Sequence, residues 1–164
     1  MGWFETFKAK FVKDFILKDR WRYITDGLQV TLTVTLGALI IGLVIGMLVA
    51  VIRSAHDQID EEKLNSPGGL LLRLVNQIAR LYLTVIRGTP TVVQLLLMYF
   101  VFLISTESKV AVATITFGIN SGAYVAEIFR SGIMSVDKGQ MEAGRSLGLG
   151  FAKTMQIIIL PQAF

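Results

Sequence analysis

Apolar residues fall in three long runs separated by polar stretches. The first, at about residues 28–52, carries no charge until Arg53. About 20 apolar residues in a helix suffice to cross the hydrocarbon of a bilayer, so this run predicts a spanning helix. The second, at about 78–104, is interrupted by Arg87-Gly88-Thr89-Pro90. Threonine before proline reads as an N-cap followed by the first helical position, so a helix is expected to restart at Pro90. The restarted piece is too short to cross alone, and residues before Arg87 must share the span. The third run, at about 110–129, is less apolar, with Thr114, Thr116, Asn120, Ser121, Tyr124 and Glu127 within it or at its end. Polar groups in hydrocarbon are costly unless they face protein or a wet cavity, so this helix is expected to line something.

Small residues mark the faces on which these helices meet. Ala38, Gly42, Gly46 and Ala50 recur at four-residue steps, as do Gly118, Gly122 and Ala126. Helices in lipid lack a water-driven attraction, and close backbone approach along such a stripe supplies packing energy. Residues 1–23 repeat Phe4, Phe7, Phe11 and Phe15 with Val12 and Ile16, against Lys8, Lys10, Lys13, Asp14 and Lys18. That pattern predicts an amphipathic helix lying in the headgroup plane, an ordinary packed helix being the alternative. Residues 53–75 read as a solvated connector containing Arg53, His56, Asp57, Asp60, Glu61, Glu62, Lys63 and Arg73, with a turn at Ser66-Pro67-Gly68-Gly69.

Composition agrees with a membrane protein. Of 164 residues, 53% are hydrophobic, and the mean hydropathy is +0.61. The expected fold is all-α and integral to the membrane, with about three spans, since each takes roughly 20 residues. The first run starts too late, and lacks the small-residue cleavage pattern, to be a signal peptide. There is no cysteine, and His56 is the single histidine, so thiol chemistry is excluded and a histidine-based metal or catalytic site is disfavoured. The net charge of +4 sits in segments flanking apolar runs, which suits a membrane surface better than nucleic acid. No phosphate-cradling glycine-lysine pattern and no nucleophile–base pair can be assembled. No catalytic residue, cofactor or metal is expected.

The most specific signal follows the third run. Glu142-Ala143-Gly144 is followed at fixed spacings by Gly148 and by Ile158, Leu160 and Pro161. Asp137 is placed to cap a helix start, with Gln140 completing a capping-box pattern, and Gly148 suits a helix end. A second short helix is expected over about 151–159. Two small helices at an angle make a compact knob, in which Ala143 and Gly144 would let a partner approach the backbone.

This spacing resembles the EAA loop of ATP-binding-cassette importer permeases, with Gly144 standing where alanine is usual. Arg87-Gly88-Thr89-Pro90 with Gln94, and Asn120-Ser121-Gly122-Ala123-Tyr124 followed by Glu127, resemble segments of the polar amino acid branch. The resemblance implies a type I permease subunit in a bacterial cytoplasmic membrane, with an N-terminal segment at 1–26 and an incomplete membrane domain at 27–164. It implies that the loop at 135–161 is cytoplasmic and docks an ATPase dimer through Glu142, Ala143, Gly144, Gly148, Ile158, Leu160 and Pro161. It also implies a second permease subunit, identical or homologous, and an external solute-binding protein. Arg87, Thr89, Pro90, Gln94, Asn120, Ser121, Tyr124 and Glu127 become candidates for the pathway of a polar amino acid; the alternatives are interhelical hydrogen bonding for Asn120 and Ser121, headgroup contact for Arg87, and an ion pair with Arg130 for Glu127. Backbone N–H groups at the restarted helix suit a carboxylate, and the Asn120 amide and Ser121 hydroxyl suit an ammonium or polar side chain. Family members usually continue past Leu-Pro, so a non-transporting fragment, or a small membrane protein that only docks an ATPase, is the alternative expectation.

Overall fold

The computed structural model describes residues 2–59 and 64–163, and every regular element in them is helical. Helix α1 (Trp3–Phe11) continues through a wider π-helical turn at Val12–Ile16. Helix α2 spans Trp21–Gln58 and α3 spans Pro67–Gly88. Helix α4 (Thr91–Leu97) leads into a π-helical turn at Met98–Phe102, and α5 spans Lys109–Ser135. The tail folds as α6 (Lys138–Ser146), then α7 (Phe151–Thr154), a π-helical turn at Met155–Ile159 and α8 (Leu160–Ala163). Helices α2, α3 and α5 are each long and apolar enough to cross a membrane. The protein is an integral membrane protein of all-α architecture.

The helices outrun the apolar runs that predicted them. At 38 residues α2 is about 57 Å long, well beyond ~30 Å of hydrocarbon, so its polar ends emerge from the apolar layer. Much of the expected 53–75 connector is therefore helix. Arg53, His56 and Asp57 complete α2, and Arg73 lies inside α3. The Ser66-Pro67-Gly68-Gly69 segment is a helix start rather than a free turn: the Ser66 hydroxyl accepts from the Gly69 N–H at 3.2 Å, and Pro67 takes the first helical position. Asp60, Glu61, Glu62 and Lys63 lie outside the described residues.

The molecule is organised around one seam. Ala38, Gly42, Gly46, Ala50 and Ser54 form the buried face of α2, and Gly118, Gly122, Ala123 and Ala126 lie on the buried face of α5. These two helices share the most extensive interface in the structure. A Cβ on Gly42 would lie 3.0 Å from Ser121 Cβ and 3.3 Å from the Gly122 backbone nitrogen, and one on Gly46 would collide with Val125. Gly118 in turn admits the Ile41 side chain, and Gly37 faces Thr114. Residue numbers rise together along both helices, so α2 and α5 run parallel. Helix α3 packs onto this pair through Leu83, with Tyr82 and Ile86 beside it. The Tyr82 hydroxyl donates to the Ile119 carbonyl at 2.6 Å, and Gly122 leaves the room it needs.

The N-terminal segment stands apart. Its rings stack as a ladder through Trp3, Phe7, Phe11 and Phe15, with centroids 5.8, 6.2 and 5.0 Å apart. Phe4, expected in the stripe, is exposed and off the ladder, and Trp3 takes its place. Asp19 adopts a left-handed φ of 53° between this segment and α2, which breaks helical continuity.

The seam generates a prediction. Gly42→Leu or Gly46→Leu forces side-chain volume into a filled contact and destabilises the protein by about 1–3 kcal/mol or more. Leu48→Ala on the exposed side of α2 is expected to do far less. Thermal unfolding of the purified protein in detergent reads the difference, and equal midpoints for the glycine and Leu48 variants would place the face against lipid.

Candidate functional site

Three features beside the seam carry polar chemistry: the helical knob at the tail, the break before α4, and a charged cleft. The knob begins where Asp137 Oδ1 accepts from the Gly139 N–H at 2.7 Å, satisfying a free first-turn donor. It turns at Gly148, whose φ of +82° strongly favours glycine. The Leu149 N–H donates to the Gly144 carbonyl at 3.1 Å and the Gly148 N–H to the Arg145 carbonyl at 3.0 Å. These two bonds close the helix end in a Schellman arrangement.

Gly144 has a different role from the expected one. It is buried inside the knob, where a Cβ would meet Thr154 Cγ2 at 2.5 Å and Ile158 Cδ1 at 3.0 Å. Thr154 itself is 0% exposed. Glycine at this position lets α6 and the following helix cross in close contact, so it shapes the knob rather than offering backbone to a partner. Glu142, Ala143, Gly148 and Pro161 are exposed on the knob surface, while Ile158 and Leu160 are half-buried. Beneath the knob lies a cavity of about 270 Å³ lined by Asp57, Ile133, Asp137, Glu142, Arg145 and Ile159, among others. The knob thus packs against α5 through α8, and the end of α2 faces it across this cavity.

At the break, the expected cap is absent. Thr89 ends α3 in an extended conformation, and Pro90 rather than Thr89 occupies the N-cap position of α4, with no side-chain cap. The Thr89 hydroxyl donates back to the Val85 carbonyl at 2.8 Å. Gln94 holds the break together. Its amide donates to the Ile86 carbonyl at 2.7 Å, the Thr89 carbonyl at 3.1 Å and the Thr89 hydroxyl at 2.7 Å. Its Oε1 accepts from Asn120 Nδ2 at 3.0 Å. Gln94 and Asn120 are 8% and 9% exposed, so this pair is an interhelical staple that satisfies carbonyls freed by the break.

The charged cleft, about 590 Å³, is lined by Arg53 from α2, Arg80, Arg87 and Gly88 from α3, and Tyr124 and Glu127 from α5, with Leu83 and Thr84. Arg87 Nη1 lies 3.4 Å from Glu127 Oε2, and its guanidinium sits 5.9 Å from the centre of the Tyr124 ring. Of the residues expected on a pathway, the structure brings Arg87, Tyr124 and Glu127 together here. Thr89, Gln94 and Asn120 gather at the break instead. Ser121 faces neither, lining an apolar groove between α2 and α5 with Val34, Ala38 and Phe117.

Two more side chains, Arg130 on α5 and Asp57 on α2, complete the arrangement. Arg130 donates through Nε and Nη2 to Asp57 Oδ2 at 3.0 and 2.7 Å, and its Nη1 lies 3.6 Å from Glu127 Oε1. The three-residue spacing of Glu127 and Arg130 was legible. The partner on α2, 73 residues away in the chain, left no local signal.

Residues 68–164 match the family of binding-protein-dependent transport system inner membrane components. The probable amino-acid ABC transporter permease protein YckA of Bacillus subtilis is 51% identical over 94 residues, covering 56% of this chain and 42% of that protein. The L-cystine transport system permease protein TcyB of the same organism is 40% identical over 110 residues, covering 58% and 47%. The glutamine transport system permease protein GlnP of Escherichia coli is 42% identical over 94 residues, covering 55% and 43%. These alignments take in less than half the length of each relative. The solved structure of an amino acid ABC transporter with histidines superposes with a TM-score of 0.67 at 36% identity, over 90% of this chain and 63% of that one.

Gly144→Ala should lower the stability of the knob by about 1–3 kcal/mol, because the Thr154 methyl occupies the space a Cβ needs. Adding Thr154→Ser removes that methyl and is expected to recover part of the loss. Thermal unfolding and limited proteolysis of the three proteins test this, and a Gly144→Ala variant as robust as the parent would show that the crossing is loose.

Proposed function

This chain belongs to the family of binding-protein-dependent transport system inner membrane components, and from that membership we propose that it is the permease subunit of an ATP-driven importer of polar amino acids. ATP hydrolysis falls to a separate ATPase pair, and initial substrate capture to a solute-binding protein on the opposite face. A second permease subunit, identical or homologous, completes the pathway, and the assembly resides in a bacterial cytoplasmic membrane.

The observation that carries this reading is the knob built by Glu142 to Pro161 at the face where both parallel helices end. On this reading α2 crosses toward the ATPase, α3 and α4 together return, and α5 crosses toward it again. An odd number of crossings must separate two parallel helices, which is why α3 and α4 share one. The aromatic ladder and lysines of the N-terminal segment then lie in headgroups on the far side.

Closure of the ATPase pair moves the knob, which packs against α5 and shares a cavity with the end of α2. Arg87, Tyr124 and Glu127 are the polar pathway surface. Thr89, Pro90 and Gln94 form the joint that lets α4 tilt against α3, and Asn120 ties that joint to α5. A cleft offering guanidinium, carboxylate and aromatic groups suits a zwitterion, whose carboxylate and ammonium both require a partner when drawn out of water. Leucine at Asn120 would strand the Gln94 carbonyl, which makes it a probe of the joint rather than of substrate contact.

Glu142→Lys, tested in the complete reconstituted transporter, is expected to cut substrate-stimulated hydrolysis and uptake by at least about tenfold, because an unpaired charge in a docked surface is costly. Membrane insertion should be unchanged. Normal hydrolysis and uptake in that variant would remove the knob from the ATPase contact. Transport only of sugars or metal ions by the parent would overturn the substrate assignment.

A further inference from the structure

The cavity under the knob and the charged cleft are joined by a continuous line of ion pairs. Asp57, at the end of α2, lines the cavity, while Glu127 and Arg87 line the cleft. Arg130 stands between them. It grips a single Asp57 oxygen through two nitrogens at 2.7 and 3.0 Å, and reaches Glu127 at 3.6 Å. Glu127 passes the line to Arg87 at 3.4 Å. Three helices are thereby linked in charge, α2 through Asp57, α5 through Arg130 and Glu127, and α3 through Arg87.

We propose that Arg130 is a positioning residue for transport coupling, which transmits displacement of the knob to Arg87 in the cleft through Glu127. The proposal rests on reading the chain as an importer permease. It assigns to one side chain the step between ATPase closure and rearrangement of the polar surface.

Three features favour this role over that of a simple surface pair. Arg130 is only 24% exposed, so its pairs are partly desolvated and stronger than solvent-exposed ones. A guanidinium holds its partners in a planar fork, so a change in the angle between α2 and α5 must break one contact or carry Glu127 with it. Glu127 is shared: each of its oxygens faces a different arginine, so drawing the carboxylate toward Arg130 draws it from Arg87. Freed of Glu127, Arg87 keeps its contact with the Tyr124 ring and gains capacity for an anionic group in the cleft.

The test compares Arg130→Gln, Arg130→Lys and Glu127→Gln in the complete transporter, reconstituted with its ATPase and binding protein. Uptake per ATP hydrolysed is read alongside the amount of assembled complex. Arg130→Gln and Glu127→Gln are expected to lower that ratio by about tenfold, a common size for coupling between sites, with assembly near normal. Arg130→Lys keeps the charge and should retain a clearly higher ratio than Arg130→Gln.

A parental ratio in Arg130→Gln would overturn the proposal, as would equal uncoupling by Lys and Gln, or uptake and hydrolysis falling in proportion to lost complex. If Arg130→Gln does not assemble, Asp57→Asn decides: it weakens the anchor of Arg130 on α2 at a residue outside the cleft, and a parental ratio in that variant would overturn the proposal. A parental protein that gives no substrate-dependent uptake would count against the importer reading itself.

Discussion

Close approach of two parallel helices is the constraint on which everything else depends. Gly42 and Gly46 bring the α2 backbone against Ser121, Gly122 and Val125, where a Cβ at Gly42 would be tightly crowded and one at Gly46 would collide. In lipid such packing, rather than exclusion of water, is what holds helices together. Once α2 and α5 lie in contact with parallel sense, their ends fall on one face. The knob formed by α6 to α8 then packs on α5 with the end of α2 across a shared cavity, and Asp57 can reach Arg130. Helix α3 completes the group through Leu83 and the Tyr82 hydroxyl.

The polar groups are satisfied by means that a break in a helix makes necessary. Pro90 ends the run of α3 and leaves carbonyls free, and the Gln94 amide collects those of Ile86 and Thr89. Its remaining acceptor binds Asn120 on α5. The joint is therefore both interrupted and tethered. Sharing of Glu127 between Arg87 and Arg130 applies the same economy to charge.

Much of this was legible in the sequence, and the failures have physical causes. Apolar run length marked the places of α2 and α5, because hydrocarbon thickness fixes it. Four-residue spacing marked Ala38, Gly42, Gly46 and Ala50 as one stripe, but periodicity cannot say which helix answers it. The 53–75 segment misled because hydropathy ends where a helix leaves the hydrocarbon, and not where the helix ends. Ser66-Pro67-Gly68-Gly69 is ambiguous for a similar reason, since serine and proline open both turns and helices. Thr89 looked like a cap, yet its hydroxyl turned back to Val85. Gly144 looked like an open surface because its partner Thr154 lies beyond a turn whose geometry depends on the positive φ of Gly148. The Asp57–Arg130 pair joins distant parts of the chain and had no local trace.

The parallel seam is open to a direct measurement, because the chain contains no cysteine to interfere. A Cβ built on Gly37 lies 3.8 Å from Thr114 Cβ, close to the ~3.8 Å spacing found in disulfides. Gly37→Cys with Thr114→Cys, oxidised in native membranes, is expected to cross-link rapidly and nearly completely. Gly37→Cys with Val125→Cys, the pairing that an antiparallel seam would favour, is expected to stay reduced. Cross-linking of the second pair in place of the first would contradict the parallel arrangement and, with it, the placement of the knob beneath both helices.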